Sequence, residues 1–256
     1  MSKATLSSSI SQAPLVRRLT ELGLASPQRS RRLFANQLAV LIDISDAIEL
    51  SRFFTNLNDV SVSAQPVTTQ PADVLFEQHR AEMIAVIDSS FITDTEEAIA
   101  GVKAVFRLPA LKADAVSTSQ ATATYRRFYS LHQSELERRV ARLRTALLDQ
   151  LEATNEALAQ VAAVDTALGP MLAKYSRRCF ATLPKLVAMR FEQYQLQHGQ
   201  REPIAAGANP NLQQNNWLLQ FHGELQRLLH AELALRLQPL EGMLRCLDSD
   251  DLRENL

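Results

Sequence analysis

The sequence predicts an all-α protein: an elongated helical bundle with long antiparallel C-terminal helices and a smaller N-terminal helical region. Three observations carry that expectation. From Ala110 to Leu168 the chain holds neither glycine nor proline, and its 256 residues include only 7 glycines, less than half the usual share of about 7%. Glycine supplies the positive φ of tight turns and helix ends, so a chain poor in it spends its length on long regular elements. Apolar side chains recur at steps of three and four through the second half, the period of one helix face. At 46% hydrophobic and 21% charged, with a net charge of −1, the composition is that of a chain able to build a core.

The elements follow in order. Residues 1–12, rich in Ser, Thr and Gln, read as a disordered N-terminus. Residues 13–110 read as the N-terminal helical region. Pro14 suits a first-turn position and opens a short helix through Leu15, Val16, Leu19, Leu22 and Leu24, punctuated by Gly23 and Pro27. A second helix from Ser30 to Asn58 carries Leu33, Leu41, Ile44, Ile48 and Phe53. Residues 59–71, with Val-Ser-Val-Ser and two prolines, fit a loop, or a short strand at VSVSA. Leu75, Met83, Val86 and Ile87 then mark an amphipathic helix between Asp73 and Ile92. Asp94 or Thr95 before Glu96-Glu97 resembles a helix cap with acid in the first turn, the piece ending before Pro109.

Residues 111–123, small and polar, fit either a linker between two halves or the start of the next helix. Residues 124–247 then form the C-terminal long-helix bundle. Leu136, Val140, Leu143, Leu147, Leu151, Leu158, Val161 and Leu168 make one stripe, and Leu136, Leu147 and Leu158 repeat every eleven residues. That period is 3.67 per turn, which keeps a stripe nearly straight and favours a bundle helix over a coiled-coil zipper. Unbroken from Thr124 to Leu168, such a helix would run about 65 Å. Gly169-Pro170 should end or kink it. A helix from Met171 to Gln197 follows, with Pro184 as a bending point, and residues 198–216, holding Gly199, Pro203, Gly207 and Pro210, read as a loop. Leu218, Phe221, Leu225, Leu228 or Leu229, Leu233, Leu237, Leu240, Leu244 and Leu247 set out a final helix with a kink at Pro239. Residues 248–256 read as an acidic tail.

Several function classes are excluded or disfavoured by residue type and spacing. Cys179 and Cys246 match no disulfide framework and no zinc spacing. The N-terminus lacks the apolar core of a signal peptide, and no run approaches the ~18 apolar residues of a membrane span, so a cytoplasmic location without a transmembrane segment is expected. A near-neutral balance disfavours a dedicated nucleic-acid binder. His79, His132, His198, His222 and His230 form no His-x-x-x-His pair, and His222 and His230, eight apart, share a helix face poorly. No metal or cofactor is expected. Asp43, Asp46 and Glu49 lie three apart on one helix but have no coupled base or nucleophile, so a solvated or ion-paired face is expected rather than acid/base work. Without a Gly-x-Gly-x-x-Gly run, a Walker loop or a Gly-x-Ser-x-Gly elbow, no catalytic constellation is recognised and a non-enzymatic protein is expected.

Two features remain. Asp165, within VAAVDTAL, reads as a buried structural carboxylate, and such a group needs a partner, with Arg177, Arg178 and Arg190 as candidates. Arg126, Arg127, Arg138, Arg139, Arg142 and Arg144, beside Tyr125, Phe128 and Tyr129, form the conspicuous basic segment and the candidate partner-binding surface. Arginines among aromatics also stack on bases and grip phosphates, which makes nucleic-acid or anionic-surface binding the alternative. Glu232 and Arg236 have the acid-first order of an i,i+4 pair, worth about 0.2–0.5 kcal/mol on an exposed helix.

The phrases YRRFYSLHQSELERRVARLR, LAQVAAVDTALGPML, FATLPKLVAMRFEQ and WLLQFHGELQRLLHAELALRLQPLEGML resemble one bacterial family of uncharacterised helical proteins, a domain-of-unknown-function family. FANQLAVLIDISDAIELS resembles its opening helix, where tryptophan is commoner at the places taken here by Leu41 or Ile42 and Ile44. The resemblance covers residues 15–58 and 120–247. It implies a cytoplasmic protein of unassigned activity, encoded near proteins resembling motor or transport channels and outer-membrane peptidoglycan-binding proteins. The expected role is therefore a scaffold or accessory protein that binds protein partners at a cell-envelope complex, with homo-oligomerisation through the same apolar stripes compatible with it.

Overall fold

The computed structural model describes residues 14–24, 44–55, 62, 70–92, 105–109, 118–199 and 210–254. Among them the chain is all-α: α1 Pro14–Glu21, α2 Ile44–Thr55, α3 Ala72–Ser89, α4 Thr118–Thr154, α5 Glu156–Phe180, α6 Leu183–Gly199 and α7 Pro210–Glu254. No strand occurs among the described residues. The segments 1–12 and 111–117, Asp43, and the capping sequence at Asp94 to Glu97 lie outside them.

The chain divides into two compact units. The first takes the described residues within 1–27, 80–138 and 182–236; the second takes those within 28–79, 139–181 and 237–256. In the first unit, α1 closes on a Schellman motif: Gly23 has φ +68, with Leu24 N–H donating to Leu19 O at 2.9 Å and Gly23 N–H to Thr20 O at 3.0 Å. Its core comprises Met83, Val86 and Ile87 of α3, Tyr125, Phe128, Tyr129 and Leu136 of α4, Leu183, Val187, Phe191 and Tyr194 of α6, and Phe221, Leu225, Leu228, Leu229 and Leu233 of α7. Each buried leucine, phenylalanine or methionine contributes about 1.5–3 kcal/mol relative to exposure.

Helix direction in this unit follows from the order of the contacts. Phe191 and Tyr194 of α6 meet Phe221 and Trp217 of α7 in reverse order, so α6 and α7 run antiparallel. Tyr125 and Tyr129 of α4 meet His222 and Glu232 of α7 in the same order, so those segments run parallel. The antiparallel pair expected among the C-terminal helices is thus α6 and α7, on either side of the predicted loop 198–216. The helical stretch also begins earlier than that loop assignment allows, at Pro210, and continues through Pro239 to Glu254, taking in most of the acidic tail.

The second unit buries Leu75 and Phe76 of α3, Leu143, Leu147 and Leu151 of α4, Leu158, Ala159, Ala162 and Phe180 of α5, and Leu237, Leu240 and Met243 of α7. α2 packs against α5. Gln150 Nε2 donates to Gln70 O at 3.0 Å, tying α4 to the residue just ahead of α3.

Breaks fall where caps form rather than where glycine and proline first suggest. The stripe from Leu136 to Leu168 is not one helix: Asn155 sits extended at φ −158, ψ 172 and its side chain accepts from Leu158 N–H, satisfying one of the four donors a helix start leaves unpaired. Gly169-Pro170, read as an end or a kink, instead lies inside α5. Pro184 likewise starts rather than bends a helix, because it occupies the first turn of α6, where the missing N–H has no partner to lose. α4 begins at Thr118, within the stretch that fits either a linker or a helix start.

Candidate functional site

The first unit encloses polar side chains within its apolar core, and Glu232 is their centre. The side chain of Glu232 is 0% exposed and that of Arg236, one turn on, only 8%. Arg236 Nε and Nη2 both donate to Glu232 Oε1, at 2.9 and 2.7 Å. From α4, the Tyr129 hydroxyl donates to Oε2 at 2.7 Å and Gln133 Nε2 reaches both oxygens at 3.1 and 3.2 Å. The sequence reading took this pair for a surface i,i+4 contact. It lies in the core because Glu232 shares the helix face of Leu225 and Leu229, and a carboxylate there holds its charge only when every lone pair is used. Burial pushes the Tyr129 phenol well above its ordinary range, and the neighbouring carboxylate pushes it further.

Nearer the start of α4, Tyr125 packs its ring against Phe191 and Phe221 and places its hydroxyl 2.7 Å from His222 Nε2. Burial raises the phenol and lowers the imidazole to about 4, so a neutral His222 accepts from a neutral Tyr125. On α6, Arg190 Nε and Nη2 each donate to Glu224 at 2.9 Å, Tyr194 OH donates to Glu224 at 2.7 Å, and the guanidinium lies 4.7 Å over the Tyr194 ring. Burial alone would raise Glu224, but the hydrogen bonds from Arg190 and Tyr194 outweigh it and hold the carboxyl below its usual value. At the end of α3, Asp88 accepts from Gln226 at 2.9 Å and meets His230 Nε2 at 2.7 Å.

One contact has the geometry of a nucleophile and its base. His132 Nδ1 lies 3.0 Å from the Phe128 carbonyl, which can only accept, and Nε2 lies 3.0 Å from Ser90 Oγ. Both side chains are fully buried, and the Phe128 and Phe106 rings sit 4.4 and 4.7 Å from the imidazole. The Val86 carbonyl, 2.8 Å from Ser90 Oγ, competes with Nε2 for the one hydroxyl proton, and desolvation lowers the His132 pKa, so the pair is a buried neutral contact rather than an activated nucleophile. Among the described residues, Gln195 Oε1 is the one buried side-chain polar atom without a hydrogen-bond partner. No group of three His, Cys, Asp or Glu that could hold a metal ion occurs among them.

The buried histidines make a testable sign. Above pH ~6.5 His222 is neutral folded and unfolded; as pH falls toward 4 the unfolded chain takes up the proton first, and stability drops across that window. His132 adds a term of the same sign, whereas Glu224 acts only below its ordinary value of 4.5. Urea unfolding followed by circular dichroism should lose about 1–2 kcal/mol between pH 7 and pH 5. His222→Asn should flatten that slope, and an unchanged slope would contradict a buried neutral imidazole.

The residues singled out in the sequence are placed as follows. In the first unit Arg126 and Arg127 are exposed, and Arg138 is held by both carboxylate oxygens of Glu135. In the second unit Arg139 is half-buried and Arg142 exposed. Arg144 is taken: its Nε donates to Asp165 Oδ2 at 2.8 Å and its Nη2 to the Asp165 carbonyl at 2.9 Å. Asp165 is half-buried, not buried, and its partner is Arg144 rather than Arg177, Arg178 or Arg190. Gly169 makes room for that pair, since a Cβ there would come 2.8 Å from Arg144 Nη2. Glu49 is exposed on α2, and the Asp46 side chain and Asp43 lie outside the described residues. His132 and His222 sit in hydrogen-bonded pairs; the Glu232–Arg236 pair was legible as an i,i+4 contact, but its burial and its partners Tyr129 and Gln133 were not.

No helix among the described residues is long and apolar enough to cross a membrane. Over residues 1–249 the chain matches a family described as a protein of unknown function. No curated protein and no solved structure matches it.

Proposed function

The chain belongs to that family of proteins of unknown function (DUF3348), and from this premise we propose that it is a non-enzymatic scaffold or accessory protein of the bacterial cytoplasm that binds other proteins at a cell-envelope complex. The observation that carries the reading is the division of labour on α6. One face places Leu183, Val187 and Phe191 in the core, while Met189 and Leu196, seven residues apart and so on one face, stand exposed. Large apolar side chains grouped on a helix face, rimmed by polar residues, are the usual mark of a protein-binding surface. The core polar groups meanwhile are engaged with one another, which supports a role in fixing one packing arrangement rather than in chemistry. Cys179 and Cys246, both present as thiols, support a reducing compartment.

A tagged full-length chain should retain a specific protein from native cells that the variant Met189→Glu/Leu196→Glu, with an unchanged circular dichroism spectrum, does not. Equal recovery by both would count against the reading. Exposed Arg126 and Arg127 favour a second reading, binding to nucleic acid or an anionic surface. Its signature is affinity falling steeply with salt, and anisotropy of a labelled oligonucleotide at low salt separates the two.

A further inference from the structure

The second unit leaves an apolar stripe of α5 at its surface. Val161, Leu172 and Tyr175 are 40%, 42% and 44% exposed, Cys179 is exposed and Leu168 is half-buried, although α2 packs against the same helix. With Ala157 and Val164 these side chains fall within an arc of about 80° at 3.6 residues per turn. Leu158, Ala162 and Gly169, which face the core, lie on a different arc. The spacing is symmetric about Leu168: Val164 and Leu172 stand four residues to either side, Val161 and Tyr175 seven, Ala157 and Cys179 eleven. Such a row sets an apolar side chain against an apolar one all along an antiparallel two-fold contact, in which the residues equally spaced before and after Leu168 face each other.

The charges follow the same symmetry. Glu156 lies in the first turn of α5 and Arg178 in the last, both on one flank of the stripe. Laid antiparallel with Leu168 at the two-fold, each copy sets its Glu156 beside Arg178 of the other and opposes the helix dipoles. A parallel pairing would instead set the two Arg178 on opposite flanks of the seam and about 33 Å along the axis from either Glu156, so that no such pair forms. We propose that two copies of this chain pair antiparallel through the α5 stripe, with Val161 of one copy over Tyr175 of the other and Leu168 meeting its own counterpart. The proposal does not rest on the scaffold reading, which concerns α6.

Sedimentation of the full chain between about 1 and 100 µM should show a reversible monomer–dimer equilibrium. Val161→Glu/Tyr175→Glu, at exposed positions, should sediment as a monomer with an unchanged circular dichroism spectrum. Glu156→Arg and Arg178→Glu should each weaken the dimer about tenfold, and the two together should restore it. In a Cys246→Ser background, Ala157→Cys treated with oxidised glutathione should give a dimer linked from position 157 of one copy to Cys179 of the other. Within one helix those positions lie about 33 Å apart, far beyond disulfide reach. A monomer at every concentration, which would leave the stripe to a different protein, overturns the proposal. So does a dimer indifferent to the stripe variants, or one linked Cys179 to Cys179.

Discussion

Replacing Glu232 by leucine should destabilise the protein by about 3–5 kcal/mol, the range for breaking a buried ion pair from one side. The substitution leaves the Arg236 guanidinium, at 8% exposure, without the carboxylate that takes two of its donors, and removes the carboxylate to which Tyr129 and Gln133 both donate. Most of the loss thus comes from the groups left behind rather than from the attraction removed. The double variant Glu232→Leu/Arg236→Leu should recover much of it, since apolar residues in place of a whole buried pair are often neutral or better. Tyr129→Phe should cost only about 1 kcal/mol, one hydrogen bond in which the carboxylate keeps its other partners. Urea titrations of wild type, Glu232→Leu, Arg236→Leu and the double variant, compared as a double-mutant cycle with Tyr129→Phe measured beside them, check the argument. If the double variant is as unstable as the sum of its singles, the two charges are not coupled and Glu232 is not the centre of the network.

The same residues show what could be read in the chain and what could not. Leu136, Leu143, Leu147, Leu151 and Leu158 were legible as core because three-four spacing reports directly which helix face is apolar, and all five are buried. The break at Asn155 was not, because the step from Leu151 to Leu158 continues the stripe across it and periodicity does not register a cap. The signal that existed was local: Asn155 followed by Glu156, an N-cap with acid in the first turn. Gly169-Pro170 misled in the opposite sense. Glycine there leaves room for the Arg144 guanidinium, which also donates to the Asp165 carbonyl, and α5 runs on through Pro170. Glu232 was misread because an i,i+4 acid-base pair has the same spacing on a surface as in a core. Its neighbours Leu228, Leu229 and Leu233 were the clue, since a carboxylate inside an apolar face announces a buried partner. His132 and His222 carried no such mark, because rings brought from distant parts of the chain help to bury them, Phe106 against His132 and Tyr125 against His222.

Placing a carboxylate at Leu143 should have the largest effect in the second unit. Leu143 is among the largest fully buried side chains, as are Leu147 and Leu151 of the same helix. Leu143→Ala would cost about 2–5 kcal/mol for lost transfer energy and the cavity left behind. Leu143→Asp adds an unpaired polar group to that cavity, which takes the loss past the ~4–5 kcal/mol that single substitutions rarely exceed. The two contributions separate by pH. Burial raises the folded-state pKa of the new aspartate above its unfolded value, so the destabilisation due to charge is full at neutral pH and shrinks as pH falls through that raised value. Leu143→Ala has no such group and should follow the wild-type trend, in which the neutral histidines make acidification destabilising. The gap between the two variants should therefore narrow from pH 7 to pH 5 in thermal melts followed by circular dichroism. Arg142→Asp, one residue away but exposed, should shift stability by no more than about 0.5 kcal/mol. Equal melting of the Arg142 and Leu143 variants would mean that the stripe does not face a packed interior, and the helical assignment of the unit's core would fall with it.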